Sequence, residues 1–148
     1  VATNSLYQVH FRSALASRES VYSFCADHAS NDSSTRHHLL QAFHDREKVG
    51  STQIAEHVVM PHIESDQLDQ SQIIVIRPAE QIRWEAGIEK IQLVIVLLLK
   101  RNESAAIKRE LIGFTRTLAD EDHINELLET EEEAAFINKI IPNREESQ

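Results

Sequence analysis

Leu93-Val94-Ile95-Val96-Leu97-Leu98-Leu99, closed by Lys100-Arg101, decides the fold class. The run is far too short to cross a bilayer, which takes roughly 20 apolar residues in a helix. A strand with one wet face would alternate apolar and polar residues; this one does not. It reads as a strand over Ile91 to Leu99, covered on both faces, with the basic pair marking its exit from the core. Ile73 to Ile76 is a second run of the same kind. Doubly covered strands need helices above and below them.

The rest of the chain supplies those helices. Leu6 to Phe11 alternates and predicts a further strand. Ser17 is placed to cap a helix to Ala29, with Val21, Phe24, Cys25 and His28 on one face. After the polar break Asn31 to Ser34, a helix is predicted from Thr35 to Val49, with Leu39, Leu40 and Phe43 inward. Gly50 would end it in a left-handed cap. Ser51 or Thr52 would then start a short helical turn through Ile54 and Ala55. His57 to Met60 reads as a strand stopped by Pro61, and Ser65 to Gln70 as polar loop. Ile82-Arg83-Trp84 makes a short segment, with Trp84 as a core or rim anchor. Downstream, Ser104 caps a helix with Ile107, Leu111, Phe114 and Leu118 in one stripe. Asp122 caps another with Ile124, Leu127 and Leu128. Thr130 with Glu133 reads as a capping box that opens a last helix with Phe136, Ile137 and Ile140. The polar tail Asn143 to Gln148 is expected to fray. The class is α/β: a mixed sheet flanked by helices on both faces.

Bulk properties narrow the function. At 148 residues, 1–148 reads as one domain with room for a real core. A formal net charge of −9 argues against direct nucleic-acid binding or adhesion to an anionic membrane. It suits a basic protein partner. Cys25 is the sole cysteine, so no internal disulfide forms, and it reads as a small buried hydrophobe. The start, Val1-Ala2-Thr3-Asn4-Ser5, shows no signal-peptide pattern, and a cytoplasmic setting is the expectation. The first residue is not methionine, which fits either a domain excised from a longer chain or a processed or trimmed one.

The chemistry-bearing residues cluster in one stretch: Arg46-Glu47, then Ser51-Thr52, then Met60-Pro61-His62. A histidine fixed by a proline at a strand end is a candidate nucleophile, because imidazole is largely neutral near pH 7. Arg46 offers a planar fork for phosphoryl oxygens. Ser51 and Thr52 offer hydroxyls, or backbone amides of the predicted turn. Glu47 would repel phosphate and is better placed to orient Arg46.

This ordered set resembles the fructose/mannitol-type (type 2) enzyme IIA domain of the bacterial sugar phosphotransferase system. The resemblance runs from about Leu6 to Ile141 and extends to Ile82-Arg83-Trp84 and the long apolar strand. It implies that His62 takes a phosphoryl group from the histidine-containing phosphocarrier protein and passes it to an enzyme IIB domain. The domain would then be a phosphotransferase component, with Arg46, Ser51, Thr52 and Glu47 in support and no metal or organic cofactor. Four departures stand out. His57 replaces a usual glycine. Val59 and Ile63 replace small residues. The second histidine expected at the start of the helix after the long strand is missing, with Ile107 about where it would lie. Two rival readings follow. One is a regulatory enzyme IIA-like domain of a sugar-responsive transcription activator or antiterminator, switched by phosphorylation of His62. The other is a degenerate binding domain never phosphorylated, suggested by the bulk of Val59 and Ile63.

The remaining histidines read blandly. His37-His38 and His44 lack metal-ligand spacing and are expected as solvated helix residues. His57 reads as a partly exposed strand residue. His123 reads as a surface residue at a helix start. Glu129 with Glu131-Glu132-Glu133 reads as a solvated first turn favoured by the helix dipole.

Overall fold

A computed structural model describes residues 6–141 together with the backbone of residues 2 and 3. The tail Asn143 to Gln148 lies outside the described residues. The long apolar run forms β7 (Leu93–Lys100), and the second run forms β6 (Gln72–Pro78), its antiparallel neighbour. On its other edge β6 pairs in parallel with β2 (Tyr7–Ser13), which carries β1 (Ala2–Thr3) antiparallel at the rim. The far edge of β7 is shared by two short parallel strands, β4 (Val58–Val59) and β5 (His62–Ser65). β3 (Gln53–Ala55) pairs antiparallel with β4. The sheet is therefore mixed, in the order β1-β2-β6-β7-β4-β3, with β5 beside β7.

Side-chain alternation splits the buried strands between two cores. Ile74, Ile76, Val94, Val96 and Leu98 face one way and pack with α1 (Arg18–Ala29) and α2 (Ser33–Val49). Ile73, Val75, Leu93, Ile95 and Leu97 face the other way. There they meet α3 (Ala105–Thr117), α4 (Glu121–Glu129) and α5 (Glu133–Ile140). Helices thus cover both faces, which is why β6 and β7 carry no alternation. Cys25 is fully buried beneath α1, and burial pushes its thiol pKa up, so it serves as core.

Several local expectations are corrected. The predicted helical turn after Gly50 is strand β3. The Ser51 hydroxyl accepts the Gln53 amide (3.0 Å), an alternative to helix that pairing with β4 then locks in. Gly50 does end α2, but in an extended conformation at φ 155° rather than a left-handed helical one. His62 begins a strand instead of ending one, and Ser65 belongs to that strand. The buried face of α1 is Val21, Tyr22, Cys25 and Ala26; Phe24 is only half-buried and His28 is exposed. Asp120, not Asp122, caps α4, accepting the amides of Asp122 and His123. Thr130 closes α4 by donating to the Glu126 carbonyl, and Glu132 caps α5, so the predicted capping box is replaced by two separate caps.

Arg77, at the end of β6, closes the α3–α5 side. It is only 8% exposed. Its guanidinium donates to the carbonyls of Leu127 (2.9 Å), Leu128 (2.9 Å) and Thr130 (2.7 Å) and pairs with Glu131 (3.1 Å). These are carbonyls that a helix end leaves unsatisfied. Arg77→Met is expected to strand them and cost about 3 kcal/mol. The melting temperature followed by circular dichroism should fall by roughly 10 °C; a change below about 2 °C would contradict this role.

Candidate functional site

Pro61 makes the site. It has no amide hydrogen, so pairing along the edge of β7 breaks between β4 and β5. The chain stays attached because the Pro61 carbonyl accepts the Leu97 amide (3.0 Å) and the Met60 amide donates to the Thr52 carbonyl (2.8 Å). His62 restarts the pairing opposite Leu97 and is exposed. The next residue, Ile63, points to the other face and is buried in the α1–α2 core. Val59 is buried in that same core. The bulk of these two residues therefore fills the interior on the side away from His62 and does not cover its imidazole.

The Met60 carbonyl lies beside the His62 ring and favours its protonated form. Partial burial lowers the His62 pKa below the ordinary value of 6.5, and the nearby Arg46 charge lowers it further; the Met60 carbonyl opposes both. The lowered pKa leaves the ring neutral at pH 7. Nucleophilicity at this ring is thus present above the lowered pKa and lost as pH falls through it. The His62 ring, followed by nuclear magnetic resonance, should therefore titrate with its midpoint below 6.5. Arg46→Ala should move that midpoint upward. A wild-type midpoint above 6.5 would contradict the geometry.

Arg46 lies in the last turn of α2 and donates to the Gly50 carbonyl (3.1 Å). Thr52 is buried, and among the described residues its hydroxyl has no hydrogen-bond partner. His62, Met60 and Thr52 are linked through backbone groups, and the charge of Arg46 reaches the imidazole. Two predicted residues are placed differently. The exposed Ser51 uses its hydroxyl on the Gln53 amide. Glu47 follows Arg46 by about 100° around the helix and so faces another way. It accepts from the Tyr22 hydroxyl and pairs with Arg18 (3.4 Å). Ile107, where the second histidine was expected, packs against the α3–α5 core.

The other histidines are accounted for separately. His37 and His38 are exposed, and His44 meets Glu19 (3.1 Å). A ring nitrogen of His57 meets the Lys90 carbonyl (2.9 Å). Gln8 bridges His10 (2.6 Å) and His28 (2.8 Å). Sequence reasoning missed Tyr22 and Arg18, which hold Glu47, and Glu85, which pairs with the same Arg18 nitrogen. The usable signal was Tyr22 standing three and four residues before Cys25 and Ala26 on the buried face of α1.

Residues 5–143 match the family model described as phosphoenolpyruvate-dependent sugar phosphotransferase system, EIIA 2. The chain belongs to this family. The EIIA 2 fold is also that of solved structures. One is the nitrogen regulatory protein IIA-Ntr from Neisseria meningitidis, with a TM-score of 0.71 and 18% identity over 91% of this chain and 95% of that one. A second is IIA mannitol from Escherichia coli, at 0.64 and 20%, covering 90% and 95%. A third is the complex of enzyme IIA-mannitol with phosphorylated enzyme IIB-mannitol from Escherichia coli, at 0.65 and 19%, covering 91% and 98%. No curated protein sequence matches this EIIA 2 chain. Among its described residues no helix is long and apolar enough to cross a membrane.

Proposed function

We propose that this EIIA 2 domain is a phosphohistidine carrier. His62 accepts a phosphoryl group from the histidine phosphocarrier protein and gives it to an enzyme IIB domain. The observation that carries the reading is the exposed imidazole at the start of β5, under the field of Arg46 and beside the Met60 carbonyl.

The step is an in-line displacement. The lone pair of the open His62 nitrogen forms a bond to phosphorus while the phosphorus–nitrogen bond of the donor phosphohistidine breaks. The donor imidazole leaves with that electron pair. Charge spreads over the three equatorial oxygens, so positioning and electrostatics supply most of the catalysis. Arg46 meets that charge with a fixed fork. The unpartnered Thr52 hydroxyl is a further donor that a phosphoryl oxygen would satisfy. In the proposed step one ring N–H turns toward the Met60 carbonyl, which stabilises positive charge on the phosphorylated ring. No metal or cofactor enters the step.

One observation favours a second reading, a regulatory domain switched by the same phosphorylation. Ile107 brings packing, not a second imidazole, to the position where the family's other histidine is expected. Discharge separates the two. The domain, charged with phosphoenolpyruvate, enzyme I and the phosphocarrier protein, should hold acid-labile, base-stable label and lose it within seconds to an enzyme IIB domain. Label that no enzyme IIB domain removes would replace the carrier reading with the regulatory one.

A further inference from the structure

After Phe43, no residue of α2 is fully buried, and Val49 is 81% exposed. A helix end with no apolar anchor frays by default. Arg46 sits on that unanchored turn. What ties the turn down is Glu47, whose side chain is only 11% exposed. Its carboxylate accepts from the Tyr22 hydroxyl and pairs with Arg18 Nη1 at 3.4 Å. The same Arg18 nitrogen reaches Glu85 at 3.0 Å, in the loop between β6 and β7. Tyr22 is fully buried, stacked on Phe43 (centroids 4.3 Å, planes 5° apart) and set edge-on to Trp84 (5.6 Å). Burial raises the Tyr22 pKa, so its hydroxyl remains a donor throughout the working pH range.

Resting on the reading of His62 as phosphoryl acceptor, we propose that Tyr22 and Arg18 are positioning residues: through Glu47 they clamp the last turn of α2 and so set the reach of Arg46 toward His62. Neither touches the reacting atoms. The first turn of α1 and the β6–β7 loop thereby control a cation on the next helix. A sub-ångström loss of register there is enough to weaken in-line transfer.

Two isoelectric variants test the clamp. Tyr22→Phe keeps the stack on Phe43 and loses the hydroxyl. Arg18→Lys keeps the charge and loses the fork that spans two carboxylates. The two readouts are the pH titration of the His62 ring by nuclear magnetic resonance, which needs no phosphoryl donor, and the phosphorylation rate. Each variant should raise the His62 midpoint toward that of Arg46→Ala and slow phosphorylation about tenfold. Neither should have a further effect when Arg46 is already alanine. Folded variants with wild-type midpoint and rate would overturn the clamp. So would shifts of equal size in the Arg46→Ala background. Should Tyr22→Phe fail to fold, Arg18→Lys, whose side chain is 26% exposed, decides alone. Failure of wild type to take label would sink the carrier reading while the titration still tests the clamp.

Discussion

His62→Ala is expected to abolish phosphoryl uptake while leaving the domain folded. The imidazole is exposed at the first residue of β5, and the strand is anchored by Ile63 and Ser65, which are 4% and 1% exposed. Removing the ring opens no cavity, so the change in stability should stay within about 0.5 kcal/mol. Label should fall to background because His62 is the proposed acceptor. His37 and His38 are solvated on α2, and His44 and His57 are engaged by Glu19 and Lys90. Gel assay of acid-labile label beside a thermal melt checks both halves. Undiminished label on the alanine variant would mean that another histidine carries the phosphoryl group.

The second large effect belongs to Arg46. Its guanidinium is the cation whose field reaches the His62 ring. Arg46→Ala is expected to slow phosphoryl transfer about 100-fold, the usual consequence of losing one preorganised donor to a developing anion. Arg46→Lys should recover part of that loss, because a point charge replaces the field but not the fork. Rapid-quench kinetics at a fixed phosphocarrier concentration measures both. The circular dichroism spectrum should not change, since Arg46 is half-exposed and its guanidinium donates to the Gly50 carbonyl within its own helix end. A variant as fast as wild type would remove Arg46 from the chemistry.

The architecture was legible where the pattern is local. β6 and β7 announce themselves because strands under helices on both faces lose alternation, and Ile73 to Ile76 and Leu93 to Leu99 do so plainly. Leu111 and Phe114 on α3 with Leu118 at its C-cap, and Phe136 and Ile140 on α5, follow helical spacing and are buried as it predicts. What escaped was set by partners distant in sequence. β3 forms only because Val58 and Val59 pair with it, against the cap signal of Ser51. β5 takes its register from Leu97 to Lys100. Glu47 is drawn away from Arg46 by Tyr22 and Arg18, residues 25 and 29 positions earlier. Two aspartates this close in sequence cap helices equally well on paper, and the tight exit from α3 at Leu118 and Ala119 selects Asp120 over Asp122.

These observations also bear on the family departures. Val59 and Ile63 are larger than the usual residues, but both point into the α1–α2 core, where added methyl groups contribute burial. They leave the exposed His62 ring unobstructed. Ile107 changes the other side of the comparison, because a side chain packed against Leu111 and its neighbours in the α3–α5 core brings no imidazole to phosphate. Discharge to enzyme IIB is therefore where this chain should differ most from its relatives, and uptake where it should differ least.

The most direct test is the nitrogen–phosphorus assignment in the charged domain. Nitrogen-15 and phosphorus-31 resonance spectra should show a single phosphohistidine at His62. The phosphorus should be bonded to the ring nitrogen that Met60 leaves open, and the proton retained on the nitrogen that donates to the Met60 carbonyl. Phosphorus on the Met60-facing nitrogen, on another residue, or nowhere would contradict the account.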